Sequence, residues 1–245
     1  MGFYVLLWKH LGQSLLKIKL LEEFIVNRKS KLIDLEQAIA KIKDGDRVMI
    51  GGFGLRGCPD DLIDALVASN KKNLTLISND LGSPGIGIGK LLSNNQVKEL
   101  VGSYFNKNPD VAEANNSGKI KVKLIPQGSF AESIRAAGFG IPAYFTLASA
   151  GTELGSEKET REYNGKQYVL EEAIFADVAL IKAATADELG NLVYSKSTRN
   201  FNPVMATAAK YTIAQVGEIV AAGELSPEAI ITPHIFVNAI VKGVK

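Results

Sequence analysis

The sequence predicts an α/β fold, an open and mainly parallel sheet flanked by helices, and three features carry that prediction. From residue 31 onward, short apolar runs of strand length alternate with stretches of helical period. A glycine-dense loop joins the first of these strands to the helix after it. The composition is that of a globular protein, with 46% of the 245 residues hydrophobic and 22% charged, enough to bury a substantial core.

Residues 1–30 stand apart from this rhythm. The apolar run at residues 3–8 is far shorter than the ~20 residues of a membrane span. No basic residue precedes it and no small-residue cleavage site follows, which argues against a secretory signal. Leu6 also stands where a myristoylation motif needs Ser or Thr. Leu15, Leu16, Ile18, Leu20, Leu21, Phe24 and Ile25 allow an amphipathic helix. The segment is expected to be an atypical N-terminal extension, with a packing helix or a targeting segment as alternatives, and residues 31–245 to form the domain.

Along that domain, Asp34 followed by Gln37 forms a capping box, and Leu35, Ile39 and Ile42 line one helix face before Gly45. Residues 47–50 read as a strand. Pro59 suits the first position of the next helix, whose apolar side is Leu62, Ile63, Leu66 and Val67. Further strands are expected at 74–78, 97–101, 120–125 and 178–183, separated by helical stretches such as 129–137. Asn164-Gly165, between runs at 160–163 and 167–170, predicts a type I′ hairpin and a small β flap beside the sheet.

Charge and side-chain inventory exclude several functions. Residues 1–30 hold five basic and two acidic side chains, so the remaining 215 carry 23 basic against 24 acidic ones. The body has no basic stripe, and neither nucleic acid nor a membrane surface is expected as a partner. One Cys and two His exclude an internal disulfide and a four-ligand Cys/His zinc site, and they argue against a histidine-activated nucleophile. No metal is expected.

The most informative segment runs from Asp44 to Pro59, strand into glycine loop into helix, an arrangement that brings backbone N–H groups and a helix N-terminus toward a polyanion. Gly52-x-Gly54-x-x-Gly57 satisfies the dinucleotide fingerprint, with Asp80 where a ribose-binding acid would stand. Pro59, however, marks a helix start beyond the third glycine, later than in a dinucleotide unit. A nicotinamide-dependent oxidoreductase and a non-catalytic ligand-binding protein of the same fold remain as alternatives. The run from Pro84 to Lys90 fails as a phosphate loop, because Pro84 replaces its first Gly and Leu91 its Ser or Thr.

Residues 31–245 resemble the A (alpha) subunits of the 3-oxoacid CoA-transferase family, such as the acetate/acetoacetate and butyrate/acetoacetate enzymes. The resemblance lies in Asp44-Gly45, then Val48-Met-Ile-Gly-Gly-Phe53, then Gly57-Cys-Pro59. Further family-like stretches follow in order: Leu76-Ile-Ser-Asn-Asp80, Pro126-Gln-Gly128, Glu132 to Gly138, and Ser197-Thr-Arg-Asn-Phe-Asn-Pro203.

This resemblance implies a CoA-transferase fold shared with ribose-5-phosphate isomerase-like proteins. It implies coenzyme A as a substrate, no permanently bound cofactor, and binding of CoA along Gly51, Gly52, Phe53, Gly54, Leu55, Arg56 and Gly57. Asn79 and Gln127 would line the acyl pocket, with Gln127 supporting catalysis as a hydrogen-bond donor. Asp80 departs from the Asn-Asn pair of mitochondrial-type members. The family's nucleophile is a glutamate in a Ser-Glu-Asn-Gly motif of the B (beta) polypeptide, and no such tetrapeptide occurs here, so no catalytic nucleophile is expected in this chain. The implied reaction is ping-pong through a glutamyl-CoA thioester on that partner. It moves CoA between an acyl-CoA and a short-chain carboxylic acid or 3-oxoacid, in a cytoplasmic AB heterodimer or A2B2 heterotetramer.

Overall fold

The structure, a computed structural model, describes residues 30–244. The expected N-terminal extension, with the amphipathic helix its spacing allows, lies outside the described residues apart from Ser30.

Helix α1 (Leu35–Ile39) opens the domain with the capping box in place: the Asp34 carboxylate accepts from the Gln37 amide at 2.7 Å, and the Gln37 side chain accepts from the Asp34 N–H at 3.3 Å. There follow β1 (Arg47–Ile50), α2 (Asp60–Ser69), β2 (Leu74–Ile77), α3 (Gly89–Ser93), β3 (Val97–Gly102), α4 (Pro109–Asn116), β4 (Lys121–Leu124) and α5 (Gln127–Gly138). Each of these strands pairs in parallel with the next. The chain then makes a small antiparallel sheet of β5 (Ala143–Thr146), β6 (Thr160–Tyr163) and β7 (Lys166–Glu172), and returns through β8 (Ala176–Asp187), β9 (Leu192–Val193), α6 (Asn202–Ala206), β10 (Ala209–Val220) and β11 (Ala239–Lys242). The main sheet has the order β11-β10-β8-β1-β2-β3-β4, with β9 antiparallel to β8.

Alternation along each strand sorts the core into two layers. Val48, Ile50, Leu74, Leu76, Val178 and Leu180 pack with Leu62, Ile63 and Leu66 of α2. Met49, Ile77, Ala179 and Ile181 lie in the other layer with Phe130 and Ile134 of α5 and Met205 of α6. Both faces are covered, which is why these strands read as continuous apolar runs. In the flap, Asn164 (φ 50°) and Gly165 (φ 70°) join Tyr163 to its partner Lys166 in the two-residue turn the sequence predicts.

Several boundaries differ from the sequence reading by a residue or more, and two of them bear on the site. Helix α2 begins at Asp60, one residue after Pro59, which precedes it at φ −80°. Strand β8 spans 12 residues rather than the six at 178–183, because it pairs from Ala176 to Asp187 with β10. That neighbouring strand buries Thr212 and Gln215, and the two polar residues interrupt the apolar pattern that would announce it.

Gln215 has a structural task at the start of α2. Its Oε1 accepts from the Asp61 and Leu62 amides at 3.0 and 3.3 Å, and its Nε2 donates to Asp61 Oδ2 at 3.0 Å. The Asp61 carboxylate also accepts from the Val244 amide at 2.7 Å. Asp60 N donates to Cys58 O and Ile63 N to Pro59 O, so the amides of Asp60 to Ile63 all have acceptors. Gln215→Leu is expected to leave two buried N–H groups unpaired. The expected loss is about 3 kcal/mol, or a melting temperature lower by about 6 to 12 °C for a domain of this size. A thermal melt checks it, and an unchanged midpoint would show that this cap is dispensable.

Candidate active site

The C-terminal ends of β1 to β4 open into a cavity of about 750 Å³. It lies beside the point where the sheet reverses its order, with β2 on one side of β1 and β8, a much later strand, on the other. Open parallel sheets hold their ligands at such a point. Phe53, Gly54, Leu55 and Arg56 from the loop after β1, Asn79 and Asp80 from the end of β2, and Gln127 at the first turn of α5 all line this cavity.

Side-chain hydrogen bonds join three of these elements. Asn79 Oδ1 accepts from Gln127 Nε2 and from Ser103 Oγ, each at 2.7 Å, and Asn79 Nδ2 donates to Asp80 Oδ2 at 2.8 Å. Asp80 accepts in addition from the Gly54 amide at 2.7 Å and the Gly82 amide at 2.9 Å. Gln127 and Gly128 border an adjoining hollow of about 370 Å³ as well, so the positive end of the α5 dipole abuts both spaces.

Not every loop residue named from the sequence reaches the cavity. Gly51, Gly52 and Gly57 are absent from its lining. Close packing accounts for them instead. A Cβ on Gly51 would overlap Asn202 Oδ1, and one on Gly52 would strike the Cys58 sulfur. Asn202 is fully buried; it accepts from the Lys182 amide at 2.8 Å and donates to Gly57 O at 3.0 Å, while Asn200 donates to Arg56 O at 3.0 Å. The stretch from Ser197 to Pro203 thereby clasps the glycine loop from below. Gly54 differs, having φ +60° with open space where a Cβ would sit. Gly54→Val is therefore expected to bend the loop without a clash, raising the Kd for CoA about tenfold while the melting temperature falls by only a few degrees. Calorimetric titration with CoA measures this, and an unchanged affinity would remove the loop from the ligand path.

The helix N-terminus expected to face a polyanion does not do so. The amides of Asp60 to Ile63 already have acceptors, and Asp60 and Asp61 put negative charge in that first turn. Nor does Asp80 offer its carboxylate to a ribose, because three donors of the chain itself hold it. Lys90, the lysine of the false phosphate loop, pairs with Asp64 at 2.5 Å. Cys58 lies under the loop with its thiol pushed up to about 12, chiefly by burial and then by Asp60 and Asp80, so at neutral pH it stays protonated and poorly nucleophilic. Glu132 is held below the usual carboxylate range by its hydrogen bonds from Arg135, at 2.8 and 2.6 Å.

Ser103, Tyr104 and Lys107 after β3, and Gly82 and Ser83 after β2, also line the cavity and were not singled out from the sequence. They occupy the loops that follow the parallel strands, and that position was the signal available for finding them.

Comparison with known proteins decides the family. The coenzyme A transferase family matches residues 32–243. The chain belongs to the coenzyme A transferase family. It is 47% identical over 214 residues to the A polypeptide of the succinyl-CoA:3-ketoacid coenzyme A transferase of Helicobacter pylori, covering 87% of this chain and 92% of that one. It is 46% identical over 213 residues to the alpha polypeptide of the acetoacetyl-CoA:acetate/butyrate CoA transferase of Clostridium acetobutylicum, covering 87% and 98%. An acyl-CoA transferase from Escherichia coli O157:H7, solved as a thioester complex with CoA, shares the fold with a TM-score of 0.80 at 23% identity. That match covers 89% of this chain and 48% of the other, so the transferase fold here spans about half of that longer protein.

Proposed function

We propose that this chain is the alpha component of a two-chain CoA-transferase that moves CoA between short-chain carboxylic acids or 3-oxoacids, and that a beta polypeptide brings the nucleophilic glutamate to the cavity. One observation carries this reading: among the described residues the cavity holds hydrogen-bond donors but no carboxylate free to serve as the nucleophile. Asp80, the only carboxylate in the lining, is tied to three donors, and the Cys58 thiol is protonated.

In the proposed sequence, the partner's carboxylate attacks the thioester carbonyl of an acyl-CoA, and CoA leaves as the thiolate. The thiolate attacks the glutamyl carbonyl of the resulting mixed anhydride, releasing the first acid and leaving a glutamyl-CoA thioester. The acceptor acid then reverses both steps. Each carbonyl attack puts negative charge on an oxygen, and the second Gln127 N–H together with the opening turn of α5 supplies the stabilisation. Binding energy from the pantetheine and nucleotide, taken up along Phe53 to Arg56, holds the thioester in place.

Phe53, Leu55 and Tyr104, each about half exposed in the single chain, ring the cavity mouth, and the partner would cover them in an AB or A2B2 assembly. No helix among the described residues is long and apolar enough to cross a membrane. We place the enzyme in the cytoplasm, where acyl-CoA pools are used. Exchange of labelled acetate or succinate into acyl-CoA by the reconstituted complex tests the reading, and a complex that assembles but exchanges neither acid contradicts it.

A further inference from the structure

We propose that Asp80 is a positioning residue that fixes the sense of a hydrogen-bond chain ending at Gln127, and so determines which atoms of the Gln127 amide the acyl group meets. The inference rests on Gln127 belonging to the acyl-transfer site.

The chain of bonds starts from a group that can only accept. Asp80 is 7% exposed, and Oδ2 takes the Gly54 amide and Asn79 Nδ2 while Oδ1 takes the Gly82 amide. Asn79 must therefore turn its NH2 toward Asp80, which directs its carbonyl the other way. Ser103 Oγ and Gln127 Nε2, both at 2.7 Å, fill that carbonyl. Gln127 consequently turns its own NH2 toward Asn79, with one N–H bound there and the other left for a ligand. Asn79 is 1% exposed, so a reversed amide would set like dipoles against each other in a dry site.

An amide at position 80 removes the fixed end. Asparagine has one oxygen and one NH2, and it cannot accept from Gly54, Gly82 and Asn79 together. Asn79 and Gln127 then gain the freedom to turn over as a pair, and Gln127 presents its carbonyl to the substrate carbonyl part of the time. Asp80 also holds Gly54, so a substitution has two separable effects: a loop effect on binding and a relay effect on the chemical step.

Steady-state kinetics of the two-chain complex separate them. Asp80→Asn should raise KM for acyl-CoA through the loop and lower kcat roughly tenfold, the scale of one hydrogen bond. In a Gln127→Ala background the same substitution should lower kcat no further, while its effect on KM persists. Asn79→Ala cuts the relay but leaves the bonds from Gly54 and Gly82 to Asp80 intact. It should show the same non-additivity in kcat with Gln127→Ala, and it decides the matter if the Asp80 variant fails to assemble. Additive losses in kcat overturn the proposal. Side-chain amide NMR of the chain reads the relay without turnover. The Gln127 NH2 resonances should shift or broaden in Asp80→Asn, and unmoved resonances overturn the proposal. Because this readout needs no activity, failure of the relay and failure of the transferase reading give different results.

Discussion

Purified alone, this chain is expected to transfer no CoA between acetoacetyl-CoA and acetate, and turnover is expected to appear when the beta polypeptide is added. The rate difference should be roughly 10³ or more, the scale on which loss of a nucleophile acts. The reason is chemical. In the proposed reading Gln127 stabilises an oxyanion, but the one carboxylate among the described lining residues already accepts from Gly54, Gly82 and Asn79. Borohydride added after acyl-CoA should reduce a glutamyl thioester to an alcohol, releasing CoA and inactivating the complex, with the mass change confined to the beta polypeptide. Mass spectrometry of both chains checks this. A modified Glu132 or Glu153 in this chain would place the nucleophile here and overturn the division of labour.

Gln127→Ala should lower kcat of the complex by roughly 10² to 10³, the usual consequence of removing one oxyanion donor. KM for acyl-CoA should change little, since the lost interaction strengthens only as charge develops on the carbonyl oxygen. Gln127 lies at the exposed start of α5, so the melting temperature should stay within a few degrees of wild type. The variant complex should still label on the beta polypeptide, slowly. A kcat within about threefold of wild type would assign the oxyanion to other donors.

Much of this architecture was legible because the relevant forces are local. The capping box at Asp34 and Gln37 and the Asn164-Gly165 hairpin each depend on a few adjacent residues, and both formed where the sequence placed them. Strands β1 and β2 were legible because strands covered on both faces read as apolar runs, whereas β4, Lys121 to Leu124 at the sheet edge, shows itself by alternation and is mostly exposed. What escaped depends on long-range partners. Strand β10 buries Thr212 and Gln215, polar residues whose partners lie on other elements. The task of Asp80 likewise emerges only when the loop after β1 meets the end of β2. Of the cavity, Phe53 to Arg56, Asn79 and Gln127 came from resemblance to family motifs, whereas Ser103, Tyr104 and Lys107 lie in a loop with no motif of its own.

Strand β1 sits between β2, which follows within 30 residues, and β8, paired through Val48 and Val178 and about 130 residues downstream. Gly51 N donates to Leu180 O at 2.9 Å, Asn202 closes against the loop, Gln215 caps α2, and the Val244 amide donates to the Asp61 carboxylate. The opening β-loop-α unit is thus completed by the closing third of the chain. During synthesis, the early strands emerge with the glycine loop still lacking its neighbours, so the loop is expected to acquire its shape only once Leu180, Asn202 and Gln215 have been made. Folding of the glycine loop is in this way expected to follow that of the early strands, and loss of the Val244–Asp61 bond would disturb the start of α2, where that loop ends.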